Sequence, residues 1–266
     1  MRSIAHISDL HFGREDPVVA AGLLSELERV RPSLVIVSGD LTQRARRAQF
    51  KAAARFLGDL PAPVLVVPGN HDIPLFDVLR RALSPLGRYR RFVTGDLAPR
   101  FDDAELCVLG LNTARPDRWK DGVIDEDQIA LLRERFASAG EGRLRLLVTH
   151  HPFVPRPDDP EPALVRNGVE ALAAAADSHV DLSLAGHLHL GYLADVRPAG
   201  ERTRRVMVVQ AGTAISKRRP HEPNSYNLLT VDLPRLEVGI RMWDGGAFAP
   251  RETVTLRKQG GDWLRV

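Results

Sequence analysis

Five short clusters hold most of the side chains able to do chemistry in this chain. Asp9-Leu10-His11, Gly39-Asp40, Gly69-Asn70-His71-Asp72, His150-His151 and Gly186-His187-Leu188-His189 offer carboxylates, imidazoles and an amide oxygen, with no thiolate. That donor set suits borderline metal ions such as Mn²⁺, Fe²⁺/Fe³⁺ or Zn²⁺. Asp9 and His11 can approach one ion from a single turn, and His187 and His189 can do so from another. Two ions about 3.5–4 Å apart need a bridging carboxylate to offset their repulsion. Asp40 suits that place, because Gly39 lets its backbone come close.

Each cluster alone has a plainer reading. Asp9 or Asp40 could cap a turn or helix, and Asn70 is a natural turn former beside Gly69. His187 and His189 could be polar residues at a strand end, and His150 could face solvent beside Pro152. Their common position argues otherwise. Every cluster directly follows a predicted strand: residues 4–8, 34–38, 64–67, 144–149 and 182–185. In open α/β sheets the carboxyl ends of strands converge on one crevice, so a single site can collect all five.

The elements that must position them alternate over the first two-thirds of the chain. Helical spacing of apolar residues predicts helices at 18–30, 44–60, 76–86, 126–137 and 167–176, with a further strand at 106–111. Strands separated by helices imply crossovers and largely parallel pairing. Beyond residue 190 the pattern changes to strand-like runs at 192–196, 205–210, 226–231, 238–242 and 253–256, which predicts antiparallel hairpins. The reading is one domain over residues 1–266, with a metal-site half at 1–190 and a mainly β part at 191–266. Two sheets pack together, with helices on the outer faces. Prolines 152, 155, 157 and 160 make residues 151–161 a loop.

Composition excludes several classes. With 266 residues, 44% hydrophobic and a net charge of +3, the chain is neither disordered nor short of core-forming residues. No apolar run approaches the roughly 18–20 residues that span a bilayer, and residues 1–11 do not read as a secretory signal. The single cysteine, Cys107, sits in an apolar run and fits a reducing cytoplasm. The pI of about 9.3 carries little weight, because nucleic-acid binding follows clustered charge rather than the total.

The ordered blocks Asp-x-His, Gly-Asp, Gly-Asn-His-Asp, His and Gly-His-x-His, spanning residues 9–189, resemble the calcineurin-like dinuclear metallophosphoesterases. Ser8 through His11, Gly39-Asp40-Leu41-Thr42 and Thr149-His150-His151-Pro152 are most similar to bacterial class III cyclic-nucleotide phosphodiesterases. The resemblance implies a four-layer α/β/β/α sandwich of two mixed sheets. It also implies two metal ions, one held by Asp9, His11 and His189, the other by Asn70, His150 and His187, with Asp40 shared. A water between the ions would attack phosphorus as hydroxide. His71 would face the substrate, steadying the phosphoryl oxygens or protonating the leaving oxygen. Asp72 would orient His71, or cap a helix ahead of Pro74. His151 would support a ligand or touch substrate.

The implied substrate is a phosphodiester, a 3',5'-cyclic nucleotide first, then a glycerophosphodiester or a phosphomonoester. Arg219, in the basic segment from Lys217 to His221, is a candidate anion-binding rim, and Arg115, Arg118 and Trp119 are candidate cleft residues on a segment that is otherwise a surface loop. Single-strand nuclease action is not favoured, because Arg44, Arg46, Arg47 and Lys51 lie on a helix face of the kind usually solvated. A lipid-precursor pyrophosphatase is disfavoured by the short, arginine-rich insert at 74–100. A non-enzymatic scaffold would have lost ligands that this chain keeps. A homodimer is compatible with the sequence, and a membrane partner is not expected.

Overall fold

Alternation within the short apolar runs decides the layering. Ile4 faces one core while Ala5 and Ile7 face another; Leu34 and Ile36 split from Val35 and Val37 in the same way, as do Leu106 and Val108 from Cys107 and Leu109. Strands that are apolar on both faces need cover on both sides. The computed structural model describes residues 1–155, 165–198, 204–218 and 222–266.

In chain order the elements are β1 (Arg2–Ile7), α1 (Pro17–Val30), β2 (Leu34–Val37), α2 (Arg47–Gly58), β3 (Val64–Val66), α3 (Val78–Leu83), α4 (Gly87–Phe92), β4 (Arg100–Asp102), β5 (Leu106–Gly110) and β6 (Gly122–Val123). There follow α5 (Glu126–Ala137), β7 (Leu144–Val148), β8 (Val165–Arg166), α6 (Gly168–Asp177), β9 (Leu182–Ala185), β10 (Tyr192–Val196), β11 (Val206–Gln210), β12 (Ser225–Asp232), β13 (Arg235–Trp243), β14 (Phe248–Gln259) and β15 (Asp262–Arg265).

Among the described residues, one sheet runs β15-β14-β13-β12-β1-β2-β3 and the other β10-β11-β9-β7-β5-β4. Ile4, Leu34, Ile36, Leu146, Leu184 and Leu229 fill the space between them. Val19, Leu23 and Leu27 of α1, with Phe50 and Phe56 of α2, cover the outer face of the first sheet. Ile129, Leu132 and Phe136 of α5, with Ala171 and Ala175 of α6, cover the second. The result is the four-layer α/β/β/α sandwich.

β1, β2 and β3 are mutually parallel, as are β5, β7, β9 and β11, so the carboxyl ends of the cluster-bearing strands lie at matching edges of the two sheets. The C-terminal strands serve both sheets. β10 and β11 extend the second, whereas β12 pairs antiparallel with β1 and leads a meander through β15.

The structure departs from sequence expectation in a few places. The helix expected at 76–86 is shortened to α3, which ends ahead of Pro85, whose ring cannot continue an α-helix, and α4 follows beyond the expected range. The helix expected from residue 44 begins at Arg47, after Ala45 takes a left-handed φ of 50°. Short strands β4, β6 and β8 carry too few residues to show a periodic signal. Residues 156–161 of the proline-rich segment lie outside the described residues, and residues 151–155 hold no helix or strand. No helix among the described residues is long and apolar enough to cross a membrane.

At the amino end of β9, opposite the clusters, buried Asp181 ties the two sheets together. Its carboxylate accepts from the Arg145 amide (2.9 Å), Lys258 Nζ of β14 (2.7 Å) and Trp263 Nε1 of β15 (2.9 Å). Removing it leaves a half-buried ammonium and an indole N–H without that acceptor. Asp181→Ala is expected to cost about 3 kcal/mol in urea unfolding while leaving metal content unchanged.

Candidate metal centre

The loops that carry the clusters are stitched to one another by backbone hydrogen bonds. Asp9 N donates to Gly39 O (3.1 Å), His11 N to Asp40 O (2.9 Å), Gly186 N to His150 O (3.0 Å) and Ala214 N to Ser8 O (3.0 Å). These loops fold back so tightly that Asp9, His11, Asp40, His187 and His189 all take positive φ, from 47° to 72°. For non-glycine residues such backbone strain persists only where the surroundings over-determine it, and it collects at functional sites. Gly39, at φ 94°, presses against the His150 ring: a Cβ there would lie 2.6 Å from His150 Nδ1. The close approach expected of this glycine is therefore toward His150 as well as toward Asp40.

Two groups of donor atoms result. Asp9, His11, Asp40 and His189 bring one ligand atom each to within 4.8 Å of one another, and His150, His151 and His187 do likewise. His11 Nε2 lies 3.5 Å from Asp9 Oδ1 and 3.2 Å from His189 Nε2, which in turn lies 3.1 Å from Asp9 Oδ1. Asp40 spans both groups, with Oδ2 3.6 Å from His11 Nε2 and Oδ1 3.4 Å from His150 Nε2. Asn70 Oδ1 stands 3.2 Å from His150 Nε2, and its Nδ2 is fixed by the Trp119 carbonyl (3.2 Å), so the amide oxygen is the end aimed at the cluster.

Hydrogen bonds from outside orient the donors. His150 Nδ1 donates to the Ser38 carbonyl (2.7 Å), which leaves Nε2 for the cluster. Asp9 Oδ2 accepts from His187 N and Asp40 Oδ1 from His71 N. Asp9 Oδ1 and Asp40 Oδ2 are buried without a hydrogen-bond partner. Converging, unpartnered carboxylate oxygens and imidazoles in a buried site are costly unless a cation binds them, so the residues fit divalent metal.

Electrostatics point the same way. Burial opposes the charges of Asp9 and Asp40, yet the surrounding imidazoles (His189 for Asp9, His150 for Asp40) hold both carboxyls well below the usual range. Burial drives His11 down to about 4 and His187 to about 3, so both are neutral, the form that ligates. His150 behaves differently: burial again opposes its charge, but Asp40 prevails and lifts it to about 9 in the metal-free protein.

Two expected roles need correction. Asp72 does not touch the His71 ring. Its buried carboxylate accepts from the Leu41, Thr42 and Gly69 amides and from Thr42 Oγ1, all at 2.9–3.1 Å, and so clamps the Asn70 turn to the Asp40 loop. Burial, with Asp40 nearby, lifts it to about 7. It is no cap for the helix after Pro74 either, since Asp77 fills that place. The partner that orients His71 is the Gln43 carbonyl, 2.9 Å from Nδ1. His151 is likewise not a substrate contact. It is fully buried and does not line the cleft described below, its Nδ1 is 2.8 Å from Thr113 Oγ1, and its ring packs against His187 and His150, with one ring nitrogen among the donor atoms of their group.

A cleft of about 270 Å³ opens above the two groups, lined by Asp40, Asn70, His71, His187, His189, Gln43, Arg44, Ile73, Leu75, Trp119, Lys120 and Arg218. Arg219, the expected rim residue, lies outside the described residues. Among the described residues of that basic run, Arg218 reaches the donors, with Nη1 2.6 Å from His71 Nε2 and 3.2 Å from His11 Nε2. Gln43 and Leu75 had no signal in sequence beyond lying near a cluster, and Lys120 none beyond its place beside Trp119.

Residues 2–191 match the sequence profile described as calcineurin-like phosphoesterase. The chain belongs to the calcineurin-like phosphoesterase family. Its relatives include a glycerophosphodiester phosphodiesterase of Enterobacter lignolyticus (strain SCF1), 29% identical over 187 residues, which are 64% of this chain and 64% of that one. A 3',5'-cyclic adenosine monophosphate phosphodiesterase of Escherichia coli (strain K12) is 28% identical over 172 residues, 61% of this chain and 58% of the other. A dimetal phosphatase from Danio rerio superposes with a TM-score of 0.70 at 16% identity, covering 97% of this chain and 99% of that one. The chain thus spans somewhat under two-thirds of the length of these two bacterial relatives.

Within this phosphoesterase fold, Gly69 is held against the spanning carboxylate. A Cβ there would lie 2.1 Å from Asp40 Oδ1 and 2.3 Å from Asp40 N. Gly69→Ala is expected to destabilise the protein by about 1–3 kcal/mol and to lower its bound Mn²⁺. Wild-type melting temperature and wild-type metal content together would rule that contact out.

Proposed function

We propose that this chain hydrolyses small phosphodiesters at a dinuclear metal centre on the cleft floor, with 3',5'-cyclic nucleotides as the leading substrate class. The observation that carries the reading is Asp40, whose two oxygens face two separate donor groups beneath one cleft. Asp9, His11 and His189 would hold one ion, Asn70, His150 and His187 the other, and Asp40 both. The donor set suits Mn²⁺, Fe²⁺/Fe³⁺ or Zn²⁺. When bound, two such ions supply Lewis-acid polarisation of phosphoryl oxygens and a nucleophile active near neutral pH.

The residues do the rest. Asp40 lies between the two donor groups and keeps them in register. Asn70 contributes its oxygen because Trp119 holds its nitrogen. His71 and Arg218 stand at the cleft side of the donors, where a phosphoryl group would sit. Ile73, Leu75 and Trp119 form an apolar wall suited to the second ester arm of a diester, and the cleft volume suits a small molecule rather than a polymer. The phosphodiesterase activities for which the bacterial relatives are named support the same class. A glycerophosphodiester is the second reading, favoured by the name of one relative.

The test is a panel: Mn²⁺-loaded protein assayed with cyclic nucleotides, glycerophosphodiesters, mononucleotides and single-stranded DNA. Turnover of cyclic nucleotides above the other three supports the reading, and preference for monoesters or DNA overturns it. Asp40→Ala and Asn70→Ala are each expected to lose bound metal and to reduce turnover by at least about 10³-fold.

Ligation by His150 requires its neutral form, whereas Asp40 keeps it protonated up to about pH 9 in the metal-free protein. Metal must therefore displace a proton. Between pH 6 and 9, affinity is expected to rise by up to about tenfold per pH unit and to level off above that range. Calorimetry in buffers of different ionisation enthalpy reads the released proton directly.

A further inference from the structure

Arg218 sits in an unusual electrostatic position. Its Nη1 reaches two acceptors that are both imidazole nitrogens, His71 Nε2 and His11 Nε2, so these contacts leave its charge uncompensated. The arm is nonetheless built in at its base. Arg218 N donates to Ser216 Oγ, Lys217 N to the Arg14 carbonyl, and Asn224 Nδ2 to the Ser216 carbonyl.

The two acceptors are not equivalent. Gln43 O is a carbonyl and can only accept, so the proton of the His71 ring lies on Nδ1 and the lone pair on Nε2. That lone pair points into the cleft at Arg218 and belongs to no donor group. His11 Nε2, by contrast, is one of the atoms of the Asp9–His189 group. Once that lone pair is given to a cation, Arg218 loses its second acceptor and faces positive charge. Only an anion lying between them turns that repulsion into attraction. A guanidinium has five N–H donors in a planar fork that matches phosphoryl oxygens, and Nη1 uses few of them here.

We propose that Arg218 is the phosphate-binding arm of this site, held at the cleft mouth by His71 Nε2, and that a phosphoryl oxygen takes the place of His11 as its second acceptor. The proposal rests on the phosphoester-hydrolysing centre described above. It makes His71 a positioning residue for Arg218 rather than an independent contact. It also makes anion and metal binding cooperative: Arg218 opposes metal when no phosphate is present and favours it when phosphate is bound.

The experiment uses the full chain loaded with Mn²⁺ and measures inorganic phosphate binding by calorimetry, with Mn²⁺ affinity measured separately in phosphate-free buffer. Arg218→Ala is expected to weaken phosphate binding on the order of 10–100-fold, the range of a charge-assisted hydrogen-bond pair. Its Mn²⁺ affinity without phosphate should equal or exceed that of the wild type. Arg218→Lys should recover only part of the loss, because it keeps the charge without the fork. His71→Ala should weaken phosphate binding as well, and the double variant should lose less than the two single losses combined. Added guanidinium should restore phosphate binding to Arg218→Ala but not to the wild type. Wild-type phosphate affinity in Arg218→Ala would overturn the proposal, as would a parallel fall in Mn²⁺ affinity, which marks a merely structural arm. Failure of the loaded wild type to bind phosphate would instead overturn the hydrolase centre on which the proposal stands.

Discussion

The burial of two carboxylates, Asp9 and Asp40, among five imidazoles governs the rest of this structure. Each carboxylate keeps one oxygen without a hydrogen-bond partner, away from solvent. Placing such charges in the interior is expensive unless cations meet them. In the metal-free chain that compensation comes from protonated His150 on Asp40 and from the amides of His71 and His187. The neutral forms of His11 and His187 follow from the same burial. The chemistry of the site is in this sense a consequence of where two acids are forced to sit.

Holding them there costs backbone strain, and the sandwich offsets it. Positive φ at five candidate ligands is tolerated because each lies within four residues of the end of a buried parallel strand, and because neighbouring loops lock one another through amide hydrogen bonds. Asp72 shows how completely the loops are committed. A carboxylate that stands beside a candidate catalytic histidine in sequence spends all its accepting capacity on three amides and a hydroxyl. His151 is the matching case on the other sheet: it is adjacent to the candidate ligand His150 in sequence, but its Nδ1 turns to Thr113 while its ring packs on His187.

The cleft is chemically two-sided. Its floor is the donor set, one wall is apolar at Ile73, Leu75 and Trp119, and its mouth carries Arg44, Lys120 and Arg218. The proposed phosphodiester substrate would use all three: ligands for the phosphoryl group, cover for the second ester arm, and charge to draw the anion in. The overall charge of +3 says little about this arrangement, since attraction for phosphate is local.

Most of the architecture was legible in the chain itself. Residues 34–37 and 144–148 are short, mostly apolar runs, α1 and α5 carry their caps at Asp16 and Asp125, and the five clusters follow five strands in order. Such signals are local, so sequence determines them. The donor residues that the structure gathers, Asp9, His11, Asp40, His150, His187 and His189, were also named from sequence, because each follows a strand end within four residues. What sequence could not decide was which way adjacent polar side chains turn. Gln43 rather than Asp72 as the partner of His71, His150 rather than His151 facing Asn70, and the inward reach of Arg218 were decided only by the packing of loops from distant parts of the chain. The reason is physical: a side chain's partner depends on which carbonyl or amide another loop presents to it, and that is a property of the assembled sheets rather than of any stretch of sequence.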